Sequence, residues 1–403
     1  MPNITNTVEE QLAVFKRGVV ELHTEKQLRS MLKSSLENDR PLRIKFGMDP
    51  SSPDLHIGHA IPLMKLRDLQ ELGHQIVLIV GDSTAMVGDP TGRNKLRPQL
   101  TREDVEHNLE TYTSQAGMIL DLERTEVRRN SEWFDKMGFQ DVLSLASKMT
   151  VAQMIERDTF QKRVRASEPI GIHEFLYPLM QGWDSVQIDC DVELGGNDQL
   201  FNILCGRDLQ EKAGQRPQVC FTTPLINGLD GRKMSKSYGN AVGITDSARE
   251  MVFNVMRLDD ESMPAWFTLL TRLTADEVEL VLKGHPREAK ARLAAEIATF
   301  FHGAKAAKDA AVAFDREVRD KQLPDDIAER AWPATEDTLA LPSLLKGIEL
   351  VASTSDARRM IQQGGVKLDG EAITEPKTLI ERPAEGIRVL VQVGKKRVAY
   401  LTC

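Results

Sequence analysis

No stretch of this chain approaches the roughly 20 uncharged apolar residues that a membrane-spanning helix needs. Its opening, MPNITNTVEEQLAVF, has no basic region followed by an apolar core. The expectation is a cytoplasmic protein with no membrane partner. Cysteine is scarce as well: Cys190, Cys205, Cys220 and Cys403 form no C-x-x-C pair and have no histidine at zinc-ligand spacing beside them. Neither a disulfide framework nor a structural metal is expected, and buried free thiols are the simpler reading. An excess of positive charge is missing too. The formal net charge of -8 would argue weakly against a nucleic-acid partner if it were spread evenly. It is not: residues 341–403 hold ten Lys or Arg against seven Asp or Glu, a local +3 that leaves -11 for the rest. A small basic module follows an acidic body.

With 403 residues, the chain is too long for one small core, so two or three domains are expected. LRIKFGM (42–48) alternates in character and ends in a run dense in turn residues, which reads as a strand and then a loop. HAIPLMKLRDLQELG (59–73) repeats its apolar residues every three or four positions, and IVLIV (76–80) is continuously apolar. Strand, loop, helix and buried strand make a βαβ unit. The alternation continues through EVRRN (126–130), helical stretches near 139–149 and 171–187, CDVEL (190–194) and QVCFTT (218–223). The fold class expected is α/β, a doubly wound, Rossmann-like parallel sheet over residues 1–245. From 246 to 330 the pattern is helical, 331–340 reads as a linker within a Pro-containing acidic stretch, and 341–403 is the basic α+β module.

Three groups of residues carry chemistry. His56, Ile57, Gly58 and His59 stand where the first strand of this unit hands over to its helix, the place where parallel sheets bind nucleotides. Two histidines three apart on a helical turn project to one side, toward phosphates at the helix N-terminus, and Gly58 lets a flat base come close. Taken alone, such a pair is as readily a cap or a surface feature. Lys233, Met234, Ser235, Lys236 and Ser237 lie in a loop bounded by Gly228, Gly231 and Gly239. Lysines there would serve as closing cations when a carboxylate attacks the α-phosphate of ATP, because negative charge grows on the departing pyrophosphate. Between these motifs Tyr177, Gln181 and Asp184 recur at four and three, so a helix points all three the same way. Buried polar groups left unsatisfied cost roughly 1–3 kcal/mol each, so a polar substrate is the economical occupant of that face.

HIGH at 56–59 and KMSKS at 233–237 resemble the signatures of class I aminoacyl-tRNA synthetases. The polar stripe, GDPTG at 88–92 and GGNDQ at 195–199 are similar to the pocket of the tyrosyl-tRNA synthetases. The resemblance implies a ligase that activates tyrosine with ATP, accompanied by magnesium, and charges tRNA(Tyr). It implies that Asp184 accepts the phenolic O–H, that Tyr177, Asp89 and Gln181 hold the ammonium, and that Gln199 lies near the carboxylate. Gly47, Asp49, Ser51, His56, Gly58, His59, Gly196 and Asp198 would surround ATP, with Arg93, Arg97, Lys233, Lys236 and Ser237 on its phosphates. His56, His59, Lys233 and Lys236 are the catalytic candidates. One departure is Lys45, which stands where many family members place a tyrosine that touches the substrate hydroxyl; it either pairs with a carboxylate near the pocket or points away.

STSDARRMIQQGGVKLDG (353–370) resembles an RNA-binding domain shared with a small-subunit ribosomal protein. Arg358, Arg359, Lys367, Lys395, Lys396 and Arg397 would meet the tRNA backbone, positioning more than identifying it. The family resemblance also implies a homodimer, with helices around 139–165 as candidate contacts. Two alternatives stay open at this level. A tryptophanyl-tRNA synthetase shares the fold and motifs but ordinarily lacks the appended module, and a non-catalytic RNA-binding protein could keep a retired synthetase body.

Overall fold

The computed structural model describes residues 6–50, 55–91, 100–232, 234–235, 238–319, 327–394 and 397–403. They fall into two compact units, residues 1–314 and 315–403. No helix among the described residues is long and apolar enough to cross a membrane.

The first unit is built on six strands: β1 (Glu21–His23), β2 (Arg43–Met48), β3 (Gln75–Val80), β4 (Thr125–Arg129), β5 (Val192–Gly196) and β6 (Val219–Thr223). Their order across the sheet is β1-β6-β5-β2-β3-β4. All neighbours are parallel except β1, which pairs antiparallel with β6. β1 was not expected from the sequence; three residues at a sheet edge are too few to show an alternation. Strands β3 and β6 are buried along almost their whole length, which is why β3 reads as a continuous apolar run. From β2 the chain winds to β3 and β4 on one side and later to β5 and β6 on the other. The reversal therefore lies between β2 and β5, and a crevice opens at their carboxyl ends.

The helix Ile57–Glu71 covers the sheet through Ile57, Ile61, Leu63, Leu66 and Leu69, all buried. Each such side chain stabilises by roughly 1.5–3 kcal/mol relative to exposure. The helical stretch expected as a domain of its own does not stand apart. Trp266, Phe267, Leu293 and Ile297 belong to the same buried cluster as Ile44, Leu63 and Phe221, so one core runs through the helices to Phe314.

The second unit has its own core around Trp332, Leu344, Leu345, Ile361, Val391 and Leu401. Its strands are β7 (Glu329–Ala331), β8 (Thr338–Ala340), β9 (Val366–Leu368), β10 (Glu371–Ile373), β11 (Leu379–Glu381), β12 (Val389–Val393) and β13 (Arg397–Thr402). They form a five-stranded sheet, β10-β9-β12-β13-β7, and a β11-β8 pair. The segment expected as a linker is thus partly strand: Trp332 enters the core and β8 pairs with β11, so residues 331–340 belong to the module. The helix Thr354–Gln362 opens on Ser353, whose hydroxyl accepts from Asp356 N, and the chain then turns through Gly364 at positive φ into β9.

Candidate active site

The reversal point is lined on one side by the helix Ile172–Gln187, and its polar stripe faces into the fold. Tyr177 and Asp184 are 6% and 3% exposed. The Tyr177 hydroxyl donates to Asp49 Oδ2 at 2.8 Å, just past the end of β2, and Asp49 Oδ1 accepts from Thr84 Oγ1 at 2.8 Å. Burial and the neighbouring Asp49 push the Tyr177 phenol well above its ordinary range, so it stays a donor.

Asp184 is cradled by two side chains that no local pattern announced. Trp133 Nε1 donates to its Oδ1 at 3.0 Å and Asn130 Nδ2 to its Oδ2 at 3.4 Å. Burial raises the Asp184 carboxyl to about 7, opposed by the Lys45 ammonium and by those two hydrogen bonds. This is a carboxylate poised to gain one more donor.

The other expected amino-acid ligands are joined in one chain of hydrogen bonds. Gln199 Nε2 donates to Asp89 Oδ2 at 2.8 Å, Asn202 Nδ2 bridges Gln199 Oε1 at 2.9 Å and Gln181 Oε1 at 3.0 Å, and Gln181 Nε2 reaches Glu193 Oε1 at 3.3 Å. Asp89 Oδ1 also accepts from Thr91 N and from the buried Arg157 Nη2, at 2.9 and 3.2 Å. Sequence reasoning missed Asn130, Trp133, Arg157, Glu193 and Asn202. Glu193 alone left a signal: an acidic residue inside a strand that parallel neighbours bury on both faces has to be paired.

The two signature motifs meet. His56 precedes the helix Ile57–Glu71 and forms a β-bridge with Gly243, while Ile57 N donates to Val242 O at 2.8 Å. The His56 and His59 rings stack with centroids 3.8 Å apart, and His59 Nδ1 accepts from His56 N at 3.3 Å. A Cβ on Gly58 would stand 3.0 Å from the His56 ring and 3.5 Å from Met234 Sδ. Glycine there makes room for the second motif to sit on the first. Gly47 has open space where a Cβ would point, and Gly196 ends β5 with Asp198 just beyond. Ser51, Arg93, Arg97, Lys233, Lys236 and Ser237 lie outside the described residues, as do Lys395 and Lys396.

In the second unit Arg358, Arg359 and Lys367 are exposed, the arginines on the helix Thr354–Gln362 and the lysine on β9. Arg359 Nη2 and Arg397 Nη1 both approach Asp356, at 2.5 and 3.6 Å, and Arg397 also donates to Leu350 O at 2.9 Å.

Comparison with known proteins agrees with this fold. Residues 37–318 match the family of class I tRNA synthetases (W and Y), and residues 341–383 match the S4 domain. A tyrosine–tRNA ligase of Geobacter sulfurreducens is 47% identical over 403 residues, covering 98% of this chain and 99% of the relative. One from Moorella thermoacetica is 46% identical over 401 residues, covering 98% and 96%. The crystal structure of a tyrosyl-tRNA synthetase complexed with L-tyrosine from Archaeoglobus fulgidus has the same fold, with TM-score 0.62, 23% identity, and coverage of 76% of this chain and all of that one.

Proposed function

The chain belongs to the class I tRNA synthetases, among the tyrosine–tRNA ligases, and from that premise we propose how its side chains divide the work. The reaction activates tyrosine with ATP to tyrosyl-adenylate plus pyrophosphate, then transfers the tyrosyl group to the 3′-terminal adenosine of tRNA(Tyr). In this reading the substrate phenol donates to Asp184 at the floor of the pocket. Tyr177, Asp89 and Gln181 receive the ammonium, and Gln199 lies by the carboxylate. The observation that carries the assignment is the buried stripe itself: Asp184 holds two donors from Trp133 and Asn130 and faces a polar network at the sheet reversal. A phenylalanine would leave that carboxylate without the donor it is built for. Tyrosyl-tRNA synthetases are the standing example of this kind of selectivity, with a known discrimination of roughly 10⁵ against phenylalanine.

ATP is proposed to lie along Gly47, Asp49, Gly58, Gly196 and Asp198, with His56 and His59 donating to the α-phosphate region. Ser51, Arg93, Arg97, Lys233, Lys236 and Ser237 complete its phosphate contacts in the same reading. Positioning and charge stabilisation then supply the catalysis, with no covalent nucleophile. Magnesium enters with the nucleotide and neutralises phosphate charge; among the described residues no group of three or more His, Cys, Asp or Glu is arranged to hold an ion.

A homodimer belongs to the same proposal. Phe139, Leu143, Val151, Val164 and Ile172 are large apolar residues left exposed along 139–172, and a second copy would cover them. So does a cytoplasmic setting, which the four free cysteines suit. The S4 module takes the tRNA backbone through Arg358, Arg359, Lys367, Lys395, Lys396 and Arg397.

Tyrosine-dependent ATP–pyrophosphate exchange tests the pocket. Asp184→Asn should raise the KM for tyrosine while leaving that for ATP in place. An unchanged tyrosine KM would remove the assignment.

A further inference from the structure

Lys45 sits in the middle of β2 with no exposed surface, opposite Glu193 in the β2–β5 ladder. Its ammonium donates to Gln181 O at 2.7 Å and to Ser185 Oγ at 2.7 Å, and it lies 3.0 Å from Glu193 Oε1. An ammonium has three donors, and here each has an acceptor. Glu193 is filled as well: Oε1 also receives Gln181 Nε2 at 3.3 Å, and Oε2 receives Ser185 Oγ at 2.9 Å and Gln218 Nε2. Nothing in this pair is left over for a substrate, so it supports the pocket from beneath.

Stability is a poor reason for such a pair. Two apolar residues of the same volume often hold a core as well or better, because desolvating both charges offsets their attraction. An ammonium does two things that a methyl group does not. It grips a main-chain carbonyl, here in the very turn, Gln181–Ser185, that carries Asp184. It also stands as the buried cation beside two buried carboxylates, Glu193 and Asp184, which would otherwise repel each other. With that cation gone Asp184 would tend to keep its proton and present an O–H where a phenol needs an acceptor.

We propose that Lys45 is a positioning residue for substrate choice: it pins the Gln181–Ser185 turn and keeps Asp184 an acceptor, so that a phenol is favoured over a bare phenyl ring. The proposal rests on the assignment of Asp184 to the substrate hydroxyl.

Three variants of the full-length chain separate the possibilities in amino-acid-dependent pyrophosphate exchange: Lys45→Met, Lys45→Met with Glu193→Gln, and Asp184→Asn. The double variant removes both members of the ion pair, so Glu193 is not left as an unpaired charge, and it keeps the test open if Lys45→Met alone unfolds. Each Lys45 variant that folds should raise the KM for tyrosine roughly tenfold or more, hold the KM for ATP within about twofold, and shrink the tyrosine-to-phenylalanine ratio of kcat/KM by a comparable factor. A folded double variant with the original tyrosine KM and selectivity overturns the proposal, and so does a double variant that does not fold, since the pair would then be a stability element. Asp184→Asn tells the two failures apart. If it changes tyrosine KM and selectivity while the Lys45 variants do not, only the role of Lys45 falls. If it too changes neither, the assignment of the phenol to Asp184 falls first.

Discussion

The Tyr177 hydroxyl donates to Asp49 Oδ2 at 2.8 Å, so the helix proposed to carry the amino-acid pocket is tied to the loop after β2 that is proposed to meet the nucleotide. Tyr177→Phe removes that donor without emptying the ring's place. The substrate ammonium proposed to meet this hydroxyl loses an acceptor as well, and one hydrogen bond to a charged group is worth roughly 1.5–3 kcal/mol, a factor of about 10 to 150. Tyrosine KM should rise toward that range, and ATP KM should rise less. Steady-state exchange kinetics with each substrate varied in turn measures both.

Gly58→Ala separates activity from stability. Alanine suits a helix better than glycine by roughly 0.5–1 kcal/mol, so the melting temperature should hold or rise. The added Cβ meets the His56 ring at 3.0 Å, and the ring has to turn aside. Displacing a group proposed to act at the reacting phosphate should slow adenylate formation on the order of tenfold or more. Single-turnover formation of adenylate beside a thermal melt checks the pair of outcomes; a normal rate would mean that His56 does not need its observed place.

The pH profile should report Asp184. Burial raises its carboxyl to about 7, while Lys45, Trp133 and Asn130 pull the other way and Glu193 adds to the rise. Below that pH the group is a neutral acid, a weaker acceptor for the phenol that the proposal assigns to it. Above it, the carboxylate is the stronger one. kcat/KM for tyrosine in the free enzyme should therefore climb from about pH 6 and level off above about 8, and Asp184→Asn should lose this limb. A profile that is flat through pH 7 in the unaltered enzyme contradicts the assignment.

Arg358 is exposed on the helix Thr354–Gln362. Arg358→Ala should weaken tRNA binding and lower the slope of log K against log salt by about 1, because one phosphate contact and its released counterion are lost. Tyrosine-dependent exchange without tRNA should stay unchanged. Filter binding across a salt series, with exchange as control, distinguishes a phosphate contact from a solvated side chain.

Much of the candidate site was legible because it is local. The spacing of Tyr177, Gln181 and Asp184 sets one helix face whatever the helix packs on, and HIGH is fixed to a strand-to-helix turn by its neighbours. What stayed hidden came from elsewhere in the chain. Asn130 and Trp133 reach Asp184 from beyond β4, and Arg157 reaches Asp89 from between two short helices. Nothing in the spacing of either segment marks such a reach. The helical stretch looked independent because its alanine-rich repeat lacks strand signals, yet Trp266 and Leu293 close the core of the sheet.

Periodicity and motif content along the chain were enough to establish the α/β class, the polar helix face and the two signature loops, since each depends on dihedral geometry over a few neighbouring residues. The pairing of Lys45 with Glu193 and the seating of Met234 over Gly58 were set by folding in three dimensions. Strand order decides which buried charges become partners, and chain closure decides which loops touch. No spacing within a single segment encodes either.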